Sequence, residues 1–293
     1  MRAIQYAAPQ SLGDAVALLQ QAGAKARILA GGTDLIVQVG ADAREVDLFV
    51  DGKRIPELME LTFDPQRGLT LGAAVPCCRI YEDATVRARY PGLVDTASII
   101  GGTAIQSRAS VGGNLCNSGP AADSTPALIA YASVARIAGP RGEREVPVEA
   151  FCTAPGRNVL EPDELLVSLH LPVPPPHSGA RYLRFIPRNE MDIAEVGVGA
   201  SLTLQGPNGP ITAARIALGA VAPTPLFVRE AGDSLVGKLP TAEAFAEAAA
   251  LAQAAARPIT DMRGTAEHRK HLVGVLTRRA LRGALERANS VSQ

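Results

Sequence analysis

Two short glycine-rich runs constrain this chain more than any other feature. Ala30-Gly31-Gly32-Thr33-Asp34 follows an apolar run ending in Leu29 and precedes a helical pattern over 33–39. Ser110-Val111-Gly112-Gly113-Asn114 repeats the combination of small residues and polar side chains. The diphosphate of a dinucleotide is negatively charged and needs hydrogen-bond donors at close range. Backbone N–H groups serve where no Cβ blocks the approach, and a helix start adds a favourable partial charge. Taken alone, AGGTD is equally well explained as a tight strand-to-helix turn. The second run carries more weight, because Ser118, Asp123 and Ser124 follow within about a dozen residues. Asp123 is placed to accept from ribose or ribityl hydroxyls, or to cap the apolar helix expected over 125–132. Asp34 is expected to cap backbone amides, since a carboxylate aimed at phosphate would repel it.

Other nucleotide signatures fail. No GxGxxG follows a strand, which argues against a Rossmann unit. The run from Gly232 to Lys238 begins like a P-loop, but Leu239 stands where a magnesium-binding hydroxyl would be needed, so it reads as an ordinary loop. His268 and His271 lie among basic residues on a long helical pattern and read as a solvated face. No nucleophile–base pair and no metal-ligand spacing stands out, so no catalytic and no metal-binding residue is assigned.

Elements alternate early in the chain. A strand is expected at 2–6, and a helix opened by Ser11 and ended by Gly23. A strand over 27–30, the short helix and a strand over 47–50 complete β-α-β-α-β. Strand patterns then dominate, at 69–74, 134–138, 144–148 and 165–171, with a largely helical stretch at 84–100. Residues 172–179, with four prolines, read as an extended linker. Antiparallel strands follow at 182–186, 196–204 and 214–221. Helices at 242–256 and 267–287 close the chain. The division expected is 1–55, 56–176 and 177–293.

Twenty-nine basic and twenty-nine acidic residues balance, which removes the charge basis for nucleic-acid or anionic-membrane binding. Cys77, Cys78, Cys116 and Cys152 form no CxxC pair, and the N-terminus has no leader-like apolar core. These features read as free thiols in the cytoplasm, with Cys116 as small packing.

With these residues in view, the chain resembles the FAD-binding medium subunits of molybdenum hydroxylases of the xanthine dehydrogenase and carbon monoxide dehydrogenase type. The resemblance spans nearly the whole sequence. AGGTD is similar to the family's first FAD loop, and Ser110-Val-Gly-Gly-Asn114 to its second, usually written TIGGN. It implies an α+β fold of the vanillyl-alcohol-oxidase (PCMH) type with a C-terminal domain of antiparallel sheet plus helices. The cofactor-binding set it implies is Leu29, Ala30, Gly31, Gly32, Thr33, Asp34, Ile100, Ser110, Gly112, Gly113, Asn114, Asp123, Leu166 and Arg184. Arg184 stands where the family has lysine, a departure conservative in charge only. The partners implied are a large molybdopterin subunit and a small subunit with [2Fe-2S] clusters. The role implied is electron relay through FAD to NAD+ or another acceptor. A free-standing flavin oxidase or reductase of the same fold is the alternative.

Overall fold

A computed structural model describes residues 3–188 and 190–290. The chain starts as the patterning predicts. Ser11 Oγ accepts the Asp14 N–H at 3.1 Å and opens helix Leu12–Ala22, and Gly23 ends it with φ +58°. Strands Gln5–Ala7, Leu48–Asp51 and Ala26–Leu29 form a parallel sheet in that spatial order. The first strand thus lies later than the 2–6 expected, and Met1 and Arg2 fall outside the described residues.

The middle sheet is antiparallel. Its strands run in the order Leu61–Asp64, Gly68–Gly72, Leu165–Leu171, Val134–Gly139, Gly142–Pro147. Leu165–Leu171 is central and buried on both faces, so its sequence, LLVSLHL, is apolar almost throughout rather than alternating. The helical stretch expected over 84–100 is broken into Ala84–Arg89 and Pro91–Ala97. Pro91 has no N–H to continue the first helix and instead begins the second. One face of the sheet packs on these helices around Tyr90, Leu93, Leu115 and Leu128.

The C-terminal part holds an antiparallel sheet, Ser178–Phe185, Val196–Leu204, Ile211–Gly219 and Leu226–Phe227. The extended linker is shorter than expected, since the first of these strands already begins at Ser178. Strand alternation splits Val196–Leu204 between two faces. Val196, Val198, Ala200, Leu202 and Leu204 share a core with helices Ala242–Ala255 and Ala266–Ser290. Gly199 and Ser201 face the other way, toward helix Ser124–Ala130. A Cβ on Gly199 would sit 2.4 Å from the Pro126 carbonyl oxygen, so only glycine lets helix and sheet approach this closely. That helix therefore lies between the middle and C-terminal sheets. Three arginine contacts reinforce the join, with Arg181 and Arg287 on Asp95 and Arg215 on Glu149.

Candidate cofactor site

The two glycine runs, nearly eighty positions apart in sequence, meet in space. Strand Ala26–Leu29 leads into Gly31-Gly32, where Gly32 turns the chain with φ +76°, and helix Leu35–Gly40 follows. Ser110 caps helix Val111–Asn117, its Oγ accepting the Gly113 N–H at 3.0 Å. A Cβ on Gly31 would lie 2.0 Å from the Arg108 carbonyl oxygen. One on Gly112 would lie 2.5 Å from Ala73. These two glycines thus serve the packing of one segment on another, not only access for a ligand. Gly113 differs. An added Cβ would meet the Ser110 hydroxyl at 2.9 Å and Ala30 Cβ at 4.0 Å, with no backbone atom inside that radius.

The runs wall a cavity of about 480 Å³, within the usual range for small-molecule sites. Of the residues expected from sequence, Ala30, Gly31, Gly32, Thr33, Asp34, Ile100, Ser110, Gly112, Gly113, Asn114 and Leu166 all line it. The lining does not include Leu29, Asp123 or Arg184. Leu29 is buried, and its neighbours Ile28 and Ala30 line the cavity in its place. Asp123 and Arg184 are turned toward each other. The Arg184 Nη1 donates to Asp123 Oδ2 at 2.6 Å, and the Tyr182 hydroxyl donates to Asp123 Oδ1 at 2.7 Å.

Neither carboxylate caps a helix. Asp34 and Asp123 both precede helices, but their backbones are already in the right-handed helical region, and neither side chain bonds to a first-turn amide. An N-cap side chain reaches those amides from an extended backbone, the conformation Ser110 has. Burial pushes the carboxyl of Asp34 above its ordinary range. Burial also raises that of Asp123, against the opposing pull of Arg184 and Tyr182. Cys116, read from sequence as packing, lines the cavity, and burial pushes its thiol up to about 12. That disfavours the reactive thiolate.

Several wall residues escaped the sequence reading. Arg27, Arg44 and Arg157 bring positive charge to the lining, and Gln38, Asn117 and Asn158 bring amides. Burial lowers the Arg27 guanidinium's pKa, and the neighbouring Arg44 adds a smaller push in the same direction. These arginines come from three separate segments, so no local spacing marks them. Lys53 was also missed. Its Nζ donates to the Ala30 carbonyl at 2.9 Å and to Asp51 Oδ1 at 2.7 Å, tying the first glycine run to the parallel sheet. Lys53→Met should leave the fold intact and weaken cofactor binding about tenfold, a typical worth for a charge-assisted hydrogen bond. A fluorescence titration with FAD checks it, and unchanged affinity would remove Lys53 from the support of this loop.

The family of FAD-binding domains in molybdopterin dehydrogenases matches residues 2–174. The CO dehydrogenase flavoprotein C-terminal domain matches residues 181–284. The chain belongs to this family. It is 33% identical over 292 residues to the xanthine dehydrogenase FAD-binding subunit of Escherichia coli O157:H7, covering 98% of each chain. It is 33% identical over 285 residues to the carbon monoxide dehydrogenase medium chain of Afipia carboxidovorans, covering 97% of this chain and 98% of that one. A chain of the crystal structure of Cu,Mo-CO dehydrogenase superposes with a TM-score of 0.92 at 32% identity, over 97% of this chain and 98% of the other.

This is an FAD-binding flavoprotein subunit of the molybdenum hydroxylase family, with the α+β fold of that group. The cavity fits FAD in kind: glycine backbone on its wall for a diphosphate, cations in the lining, and the apolar side chains of Ile100, Leu160 and Leu166 for a ring system. Gly113 supplies a cradle that a larger side chain would enter. Among the described residues no helix is long and apolar enough to cross a membrane. Nor does any group of three His, Cys, Asp or Glu side chains among them form a metal cage.

Proposed function

We propose that this chain is the electron-relay subunit of a heteromeric molybdenum hydroxylase. In this reading a small partner subunit with [2Fe-2S] clusters delivers electrons, and NAD+ or another acceptor removes them. Oxidation of the organic substrate belongs to a large molybdopterin subunit. Bound FAD supplies storage for two electrons, and the protein's task is to hold, orient and shield it.

Eleven wall residues carry that task directly: Ala30 to Asp34, Ile100, Ser110, Gly112 to Asn114, and Leu166. The backbone of the two runs faces the diphosphate, with Arg27, Arg44 and Arg157 offsetting its charge. Ile100 and Leu166 flank the ring system and keep water from it. Leu29, Asp123 and Arg184 act from behind the wall. The division into units 1–55, 56–176 and 177–293 is supported by the three larger sheets, one in each. The four free thiols favour a cytoplasmic setting.

The single observation that carries this reading is the cavity walled jointly by two packed glycine runs, in a chain that covers 98% of the xanthine dehydrogenase FAD-binding subunit it resembles. Co-expression with the genes beside its own, followed by purification on a tag carried by this chain, tests it. Molybdenum, iron and flavin should co-elute with two further polypeptides. Turnover of an organic substrate by the isolated chain would instead favour a free-standing flavin oxidase or reductase.

A further inference from the structure

Helix Ser124–Ala130 stands between the cavity and the C-terminal sheet, and the polar residues at its start join the two. On the cavity side, Asn114 Oδ1 accepts the Ser124 hydroxyl at 2.6 Å and the Ser124 N–H at 3.3 Å. One residue earlier, the buried Asp123 accepts from Tyr182 and Arg184, both on strand Ser178–Phe185. Tyr182 is 3% exposed, and the neighbouring strand makes room for its hydroxyl. A Cβ on Gly197 would lie 2.5 Å from that oxygen. Interior glycines weaken strands and mark places where something must approach closely.

The arrangement is costly if its only purpose is packing. Burying a carboxylate and a guanidinium carries a large desolvation penalty, and an apolar group of similar volume would stabilise a core equally well. Phenylalanine would fill the space of Tyr182 with no hydroxyl to satisfy. What the polar cluster adds is direction. Asp123 can take only one position between its two donors, and that position sets Ser124, which in turn sets the Asn114 amide on the cavity wall.

We propose that Tyr182 is a positioning residue for the cofactor site, acting with Arg184 through Asp123 and Ser124 to fix Asn114. The proposal rests on the reading that the cavity holds FAD. It makes the C-terminal sheet part of the cofactor site although its strands do not wall the cavity. The chain of contacts is continuous: Asn114 to Ser124, then the adjacent Asp123, then Tyr182 and Arg184.

The test uses the full chain titrated with FAD, comparing wild type with Tyr182→Phe, Ser124→Ala, Asp123→Asn and the Tyr182→Phe/Asp123→Asn double variant. Flavin fluorescence gives affinity, and visible circular dichroism reports how the bound ring is held. Tyr182→Phe keeps the ring and removes one hydrogen bond to a charged group, so affinity should fall about tenfold. Ser124→Ala cuts the link on its other side and should alter the dichroism in the same sense. In the Asp123→Asn background, Tyr182→Phe should add little, because neighbours in one network are not additive. A purely structural tyrosine would lower the melting temperature but leave the dichroism of bound flavin alone. Wild-type affinity and dichroism in both Tyr182→Phe and Ser124→Ala would overturn the proposal. So would a Tyr182→Phe penalty undiminished in the Asp123→Asn background. If wild type takes up no FAD, the cavity reading itself falls and this proposal with it, an outcome visible before any variant is made.

Discussion

Gly113→Leu should purify folded and free of FAD. Its Cβ would press on the Ser110 hydroxyl at 2.9 Å and touch Ala30 Cβ at 4.0 Å, both side-chain atoms, with no backbone of another segment inside that radius. Beyond the Cβ, the leucine must extend into the space where the two runs face the ligand. Overfilling a packed site costs about 1–3 kcal/mol, so affinity should fall on the order of a hundredfold. The absorbance ratio of flavin to protein after desalting reads it directly. Stoichiometric flavin in the variant would mean that the second run does not face the cofactor. Gly31→Ala and Gly112→Ala are the instructive contrasts. Their Cβ atoms would strike the backbone of Arg108 and Ala73, so these changes should damage folding before they test binding.

Arg184→Met should give the largest loss of stability, about 3–5 kcal/mol at neutral pH, because it leaves the Asp123 carboxylate buried beside Tyr182 alone. The two side chains are 9% and 12% exposed, too little for water to replace the lost partner. The pH dependence has a definite sign. Burial already raises the Asp123 carboxyl above its unfolded value, so the folded state holds its proton to higher pH than the unfolded chain does. A raised carboxyl makes folding less favourable as pH rises through the folded value, and that loss is recovered as pH falls back toward the unfolded value. Removing Arg184 deletes a charge and a hydrogen bond that both pull this pKa down. The window of lost stability must therefore reach to higher pH in the variant. Melting temperatures across the acidic-to-neutral range should show Arg184→Met regaining stability on acidification more than wild type does. Parallel profiles would show that Asp123 does not depend on Arg184. The same pair alters what Asp123→Ala means. That change removes a carboxylate and also strands a buried guanidinium, so a loss of stability should accompany any effect on flavin binding.

How far the sequence reached depended on whether a feature was local. Ser11 with Asp14 and the apolar run of Leu165–Leu171 encode a cap and a buried strand within a few residues, and each is where the pattern placed it. The two glycine runs were legible for the same reason, and the resemblance to a flavoprotein family rested on them. Beside shifted or broken element boundaries, the errors at the site fell where one residue could satisfy either a local or a distant partner. Asp34 and Asp123 sit at helix starts, the usual place for a cap, yet their backbone conformation withholds the carboxylate from the first turn.

The sequence by itself determined the first β-α-β-α-β run, the long strands and closing helices of the later parts, the glycine runs and the family, because backbone hydrogen bonding and burial period are written in neighbouring residues. Only the tertiary structure decided that Gly31 is needed against Arg108, that Arg27, Arg44 and Arg157 converge on one cavity, and that Asp123 belongs to Tyr182 and Arg184. Those pairings depend on how the sheets stack around helix Ser124–Ala130. A side chain's choice between a nearby amide and a distant cation is made only when that stacking removes water and leaves one of them within reach.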